Sequence, residues 1–372
     1  APTPPIVGDE YSTYRRTLAH IKTTPMKQSL FIFTLLFWTI SATGQSCNCL
    51  ENFDFLKEKI ENDYAGFNDK VNDLTKTRYE NLTNYYRDKA LETNTTKRCE
   101  LLMEEWLKFF QDKHLSISVE LNIYWTFKAI DSNALLFRIP DFSWSSKTII
   151  DSLIRTNYDL ITNTPILIID LRGNGGGIDY SYTELLPFLY THPYESKGVE
   201  WLASKGNIKH FEDALKNGNI RKGYEQDTQD HIRIMKENQN SFVSIEDNEI
   251  FKLDSVLPYP QLIGLIVNDF CASSCEEFVL MAKNSSKTIV FGTNTLGVLD
   301  YSNTVPLSLP MKGMSLRYPM TRSQRLPENP IDNIGIEPDV RIDLPDNLDL
   351  KSNIDEWVLF VKQYLENELE RN

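Results

Sequence analysis

Two apolar runs, Pro165–Leu171 and Gln261–Val267, each open directly into a turn of small residues, and this restricts the fold more than any other feature. The first reads PILIIDLRGNGGG through Gly177, and the second continues as NDFCASSCEEF from Asn268 to Phe278. Runs without polar alternation belong to strands covered on both faces, as in a parallel sheet. A helical segment, Ser273–Lys283, follows the second turn, and another apolar run, Thr288–Phe291, follows that helix. Alternation of this kind predicts an α/β fold with a largely parallel sheet.

The flanking segments fit around that sheet. Apolar residues recur at helical spacing from Leu50 to about Phe110 (Phe53, Leu56, Ile60; Leu102, Trp106, Phe109), which predicts a helical subdomain. Strands are expected at Leu115–Glu120, Tyr124–Ala129 and Ala134–Ile139, helices at Thr148–Leu160 and Tyr182–Thr191, and a hairpin from Thr304–Leu309 and Met314–Pro319. Residues 195–258 are polar with little pattern beyond a helix at His231–Gln239, and Asn353–Leu369 is amphipathic. The expected division is an upstream extension at 1–25, a signal peptide at 26–44, a helical subdomain at 45–112, an α/β core at 113–345 and a C-terminal helix at 346–372.

The signal peptide rests on Met26-Lys27, the short apolar run Leu30–Ile40, and the small residues Ser41–Gly44, with Gln45 as the first mature residue. A membrane anchor, a buried helix and a lipoprotein at Cys47 are the competing interpretations. Export to the periplasm or the exterior permits one disulfide between Cys99 and either Cys47 or Cys49. Cys271 and Cys275 read as small apolar packing residues. A formal charge of −13 excludes nucleic acid and anionic membrane surfaces as main partners, and no integral membrane segment is expected in the mature chain.

Chemistry concentrates at the two turns. Gly173–Gly177 is followed by no Lys-Ser/Thr, so it is not a P-loop, and Ile178 stands where a dinucleotide fingerprint ends in glycine, so that motif fails too. What remains is a turn able to aim backbone N–H groups at a ligand, or simply a tight connection. Ser273 opens a helix, where its hydroxyl could act as a nucleophile beside the free N–H of Ser274; capping the helix is the plainer role. Together the turns suggest acyl transfer, most simply peptide-bond hydrolysis.

Four ordered pieces, LIIDLRGNGGG (167–177), the strand plus CASSCEEF (262–278), GTNTLG (292–297) and GIEPDV (335–340), resemble the tail-specific, C-terminal-processing serine peptidases. That family includes the tricorn core protease and the interphotoreceptor retinoid-binding proteins. The resemblance spans roughly residues 110–345 and implies a crotonase- or ClpP-like spiral of β-β-α units with Ser273 as nucleophile. Ser-Lys members carry lysine directly after GxxTxG. Here that residue is Val298, which excludes a dyad at this site.

His114, at the junction of the helical subdomain and the first strand, is then the candidate base, by similarity to the tricorn-like branch. Lys113 replaces the serine that precedes the histidine there. Glu337 is the candidate acid, Asp339 its runner-up, and Glu337-Pro338-Asp339 could equally be a plain turn. The oxyanion hole would combine Ser274 N–H with that of Gly175 or Gly176. No metal or organic cofactor is expected, and no peptide-tail-reading module interrupts the core between His114 and Asp170. The expected partner is a polypeptide substrate in extended form. A catalytically inactive binding protein of the same fold, with an apolar ligand or peptide in its cleft, is the alternative.

Overall fold

The computed structural model describes residues 48–64, 66–112, 115–117, 121–245, 248–308, 315–344, 349–350 and 354–371. The signal-peptide stretch, Cys47 and His114 therefore lie outside the described residues.

One compact unit comprises Gly44–Lys197, Asn248–Ser302 and Ser323–Asn372. Its central sheet has six strands: β1 (Thr126–Ala129), β2 (Ala134–Arg138), β3 (Ile166–Asp170), β4 (Leu262–Val267), β5 (Thr288–Gly292) and β6 (Val340–Arg341). Their spatial order follows the chain. β1 and β2 are antiparallel, with Phe127 opposite Phe137, while β2 to β6 run parallel. The α/β class with a parallel central sheet is as the apolar runs predict.

Alternation along the strands divides the core in two. Leu135, Phe137, Leu167, Ile169, Ile263 and Leu265 face one layer, together with Ile150, Ile154, Phe278 and Val279 from the helices Trp144–Thr156 and Ser274–Lys283. Leu136, Ile166, Ile168, Ile266 and Phe291 face the other. Right-handed crossovers in a sheet that grows in one direction put every connecting helix on the same face. The opposite face is covered instead by the C-terminal helix Glu356–Arg371, through Trp357, Val358, Val361 and Leu365. Gly264 makes room for it: a Cβ there would lie 2.5 Å from Val361 Cγ1.

A buried ionic knot fastens that helix to β2 and β3. Asp170 accepts from Arg138 Nε at 2.8 Å and from Arg172 Nε at 2.9 Å. Arg172 also reaches Asp355 at 2.8 Å, and Asp355 caps the C-terminal helix by accepting from the N–H groups of Trp357 and Val358. Asp170, Arg138 and Arg172 are fully buried.

The N-terminal helices Cys49–Asp63, Lys76–Glu92 and Thr96–Leu107 enclose their own aromatic core, in which Phe53 and Phe110 pack edge-on to Trp106. Of the two pairings open in the sequence, the structure contains Cys49–Cys99, with Cα atoms 5.5 Å apart. Loss of this 50-residue link is expected to cost up to about 4 kcal/mol, measurable as a lower urea midpoint of the Cys49→Ala/Cys99→Ala variant. Thr95 donates to Asp269 at 2.5 Å, joining these helices to the turn after β4.

Gly198–Asp247 and Asn303–Arg322 form a second compact unit, where the sequence pattern suggested one continuous core. The strands Val199–Leu202 and Phe242–Ser244 pair antiparallel in a four-stranded sheet completed by Tyr301–Ser308 and Ser315–Ser323. The helices Lys205–Lys216 and Glu225–Glu237 supply Phe211, Ile232 and Met235 to its core. His231 lies among Trp201 and Phe211, and burial pushes its pKa down to about 4, so it is a core residue. Elsewhere, Leu115–Ile117, expected as strand, has no regular structure; residues 118–120 lie outside the described ones.

Candidate active site

The two small-residue turns meet at the C-terminal ends of β3 and β4, where open parallel sheets place ligands. Two asparagines shape them. Asn268 Oδ1 accepts from Gly173 N–H at 3.0 Å and Phe270 N–H at 3.2 Å, linking one turn to the other. Asn174 donates to the Ile139 carbonyl at 3.1 Å and accepts from Gly176 N–H at 2.9 Å. Asx side chains bonding backbone two residues on are the signal that could have marked both.

Ser273 precedes the helix Ser274–Lys283 with φ 56° and ψ −124°. Cys275 N–H donates to the Ala272 carbonyl at 3.1 Å, so residues 272–275 form a type II′ turn with Ser273 at its first central position. Glycine ordinarily fills that position; a serine held there costs about 1–3 kcal/mol. Gly176, at φ 88°, lies against this turn: a Cβ on it would stand 2.4 Å from the Ala272 carbonyl oxygen and 3.0 Å from Ser273 Cβ.

Glu276 clamps the turn. Fully buried, it accepts from Thr295 Oγ1 (2.5 Å), Gly297 N–H (2.8 Å), Val298 N–H (2.9 Å) and Ser273 N–H (3.1 Å). The GTNTLG segment thus serves as the far side of a four-donor carboxylate site. The Ser-x-x-Glu spacing of Ser273 and Glu276 is the capping-box signal for it. Ser273 N–H also reaches the Val298 carbonyl at 3.0 Å, placing residue 298 next to the serine; the valine side chain there is half exposed.

Several expected roles fall elsewhere. Gly176 N–H is occupied by Asn174, whereas the N–H groups of Gly175 and Ser274 engage no acceptor among the described residues. A Cβ on Gly175 would meet nothing within 4 Å, so its surroundings are open. Glu337 is exposed, and its carbonyl accepts from Lys283, the last residue of the helix that Ser273 begins. Its neighbour Ile336 donates to Thr295 Oγ1 at 2.7 Å, the hydroxyl that is bonded to Glu276. Asp339 pairs with Lys283 and accepts from Val290 N–H at 2.9 Å, a structural duty. Cys271 and Cys275, expected as separate packing residues, are joined in a disulfide. Cysteines four apart at a helix start are within bridging distance, the signal that was available.

An acidic pair flanks the helix start. Arg325 holds Glu277 at 3.0 Å, and the buried Asp179 acts on the same carboxyl group by its charge. Burial raises both carboxyl groups; Arg325 opposes this at Glu277 and Asp179 adds to it, leaving Glu277 at about 7. The folded chain thus keeps a proton that the unfolded chain releases above its ordinary 4.5. This contribution to stability is complete below pH 4.5 and is lost as the pH rises through about 7. Glu277→Gln is expected to flatten the stability profile across that window in urea titrations at stepped pH. An unchanged slope would show that Glu277 does not carry it.

A family model described as peptidase family S41 matches residues 133–342, more than half of the 372 residues. The chain belongs to peptidase family S41. Membership makes it a serine-type peptidase by class. Among solved structures it is similar to mature CPAF (14% identity over 86% of this chain and 95% of that one, TM-score 0.44). CPAF complexed with lactacystin gives 18% identity and a TM-score of 0.44 over 63% of this chain, which spans only 50% of that one. The tricorn protease gives 20% identity and a TM-score of 0.36 over 64% of this chain and 18% of the other. The family match carries the assignment; likenesses of this degree add nothing to it. No curated protein sequence matches the chain. Among the described residues of this S41 member, no group of three or more His, Cys, Asp or Glu is placed to hold a metal, and no helix is long and apolar enough to cross a membrane.

Proposed function

We propose that this S41 member is an exported serine endopeptidase in which Ser273 attacks the scissile carbonyl. The observation that carries this reading is the Ser273 turn: a non-glycine residue held in a glycine conformation at a helix N-terminus, with the N–H groups of Ser274 and Gly175 engaging no acceptor among the described residues. Strain of that kind, over-determined by its surroundings, is characteristic of functional positions. His114 takes the serine proton and returns it to the leaving amine; water then releases the acyl group. The N–H groups of Ser274 and Gly175 receive the developing oxyanion, where one donor is worth about 3 kcal/mol. The substrate is a polypeptide bound in extended form near the open side of the glycine turn. Export is supported by the apolar run Leu30–Ile40 and by two disulfides, which persist in oxidising compartments.

The test is casein cleavage by the full chain beside Ser273→Ala and His114→Ala. Loss in both variants supports a Ser-His mechanism. Full activity in His114→Ala would remove the histidine from it, and no cleavage by any version across pH would favour a binding protein.

A further inference from the structure

Cys271 and Cys275 are bonded to each other with Ser273 midway between them. The strained turn 272–275 therefore lies wholly inside the segment that this bond closes. Hydrogen bonds restrain the turn from one side, through Glu276 and the Val298 carbonyl, and Gly176 crowds it from another. The Cys271 carbonyl accepts from Leu296 N–H at 2.9 Å, so the bond also joins the GTNTLG loop to the start of the helix. Both cysteines are fully buried beside Phe278 and Val279. A link spanning four positions restrains the unfolded chain about half as much as the one spanning 50, and it also fixes the local geometry of the turn it encloses.

We propose that the Cys271–Cys275 disulfide is a positioning element for Ser273, making acylation of that serine depend on the oxidised state of the pair. This rests on the reading of Ser273 as nucleophile. When a dithiol opens the pair, the S–S bond breaks and both sulfurs become thiols. The dithiol supplies two electrons and two protons and leaves as a cyclic disulfide. The segment 271–275 then loses its closure, Ser273 relaxes toward ordinary backbone angles, and its hydroxyl no longer lines up with Ser274 N–H. No group that holds the peptide is removed, so kcat falls and KM stays.

The full chain and Cys271→Ala/Cys275→Ala are compared by casein turnover and by labelling with a fluorophosphonate, which loses fluoride to an activated serine hydroxyl. The expected result is a fall of at least about tenfold in labelling rate and kcat, with KM held. Labelling within twofold of the parent overturns the proposal. Should the double variant fail to fold, the parent is titrated with dithiothreitol while its thiols are mapped by mass spectrometry. Labelling must then fall as Cys271 and Cys275 thiols appear and recover on reoxidation; a fall that follows only the Cys49 and Cys99 thiols overturns it. An oxidised parent that takes no label refutes the nucleophile assignment, and the proposal with it.

Discussion

Ser273→Ala is expected to lower kcat for peptide hydrolysis by on the order of 10⁶-fold, because the nucleophile and its base act as one unit. His114→Ala should cost a comparable factor, and the double variant little more than either alone. The residual rate, set by the N–H donors and by binding, should stay measurably above that in water. The same position offers a stability test independent of activity. Ser273→Gly should unfold at higher denaturant than Ser273→Ala, by about 1–3 kcal/mol, since glycine meets φ 56° without a Cβ penalty. Equal stability of the two variants would mean that the turn is not strained.

The second large effect lies away from the serine. Asp170→Ala is expected to cost about 3–5 kcal/mol, because it removes the buried carboxylate that the guanidinium groups of Arg138 and Arg172 share in a dry interior. Burial by itself would raise the Asp170 carboxyl; Arg172 and then Arg138 reverse this and hold it at about 2, below its ordinary 3.8. Its contribution to stability is therefore complete above pH 3.8 and is lost as the pH falls toward 2. Acid titration of the parent should show loss of the C-terminal helix over that range, since Arg172 also carries the cap residue Asp355. Tryptophan emission reports it directly, because Trp357 lies 5.1 Å from the Arg172 guanidinium. An Asp170→Ala variant as stable as the parent would show that the knot contributes nothing net.

How much of this was legible depended on range. Strands β2 to β5 were readable to within a residue because Ala134–Arg138, Ile166–Asp170, Leu262–Val267 and Thr288–Gly292 are continuous apolar runs. The helix after Ser273 was likewise readable from its own residues. Tyr182–Thr191, expected as one helix, is instead the end of a 3₁₀ segment, Asp179–Leu185, followed by the short helix Leu186–Leu189. Its apolar spacing alone does not distinguish the two.

The four motifs, local and ordered along the chain, determined by themselves the family, the parallel sheet and the serine on which the chemistry is read. Tertiary structure alone decided which side chains meet. It paired Cys49 rather than Cys47 with Cys99, closed Cys271 onto Cys275, and gave Asp339 to Lys283. It also assembled a second unit from two segments separated by more than fifty residues. The physical reason is that periodicity reports whether a residue is covered, a property of its own neighbourhood. Partnership across the fold depends on where sheet order and crossover handedness deliver distant segments, and that is written in no local pattern.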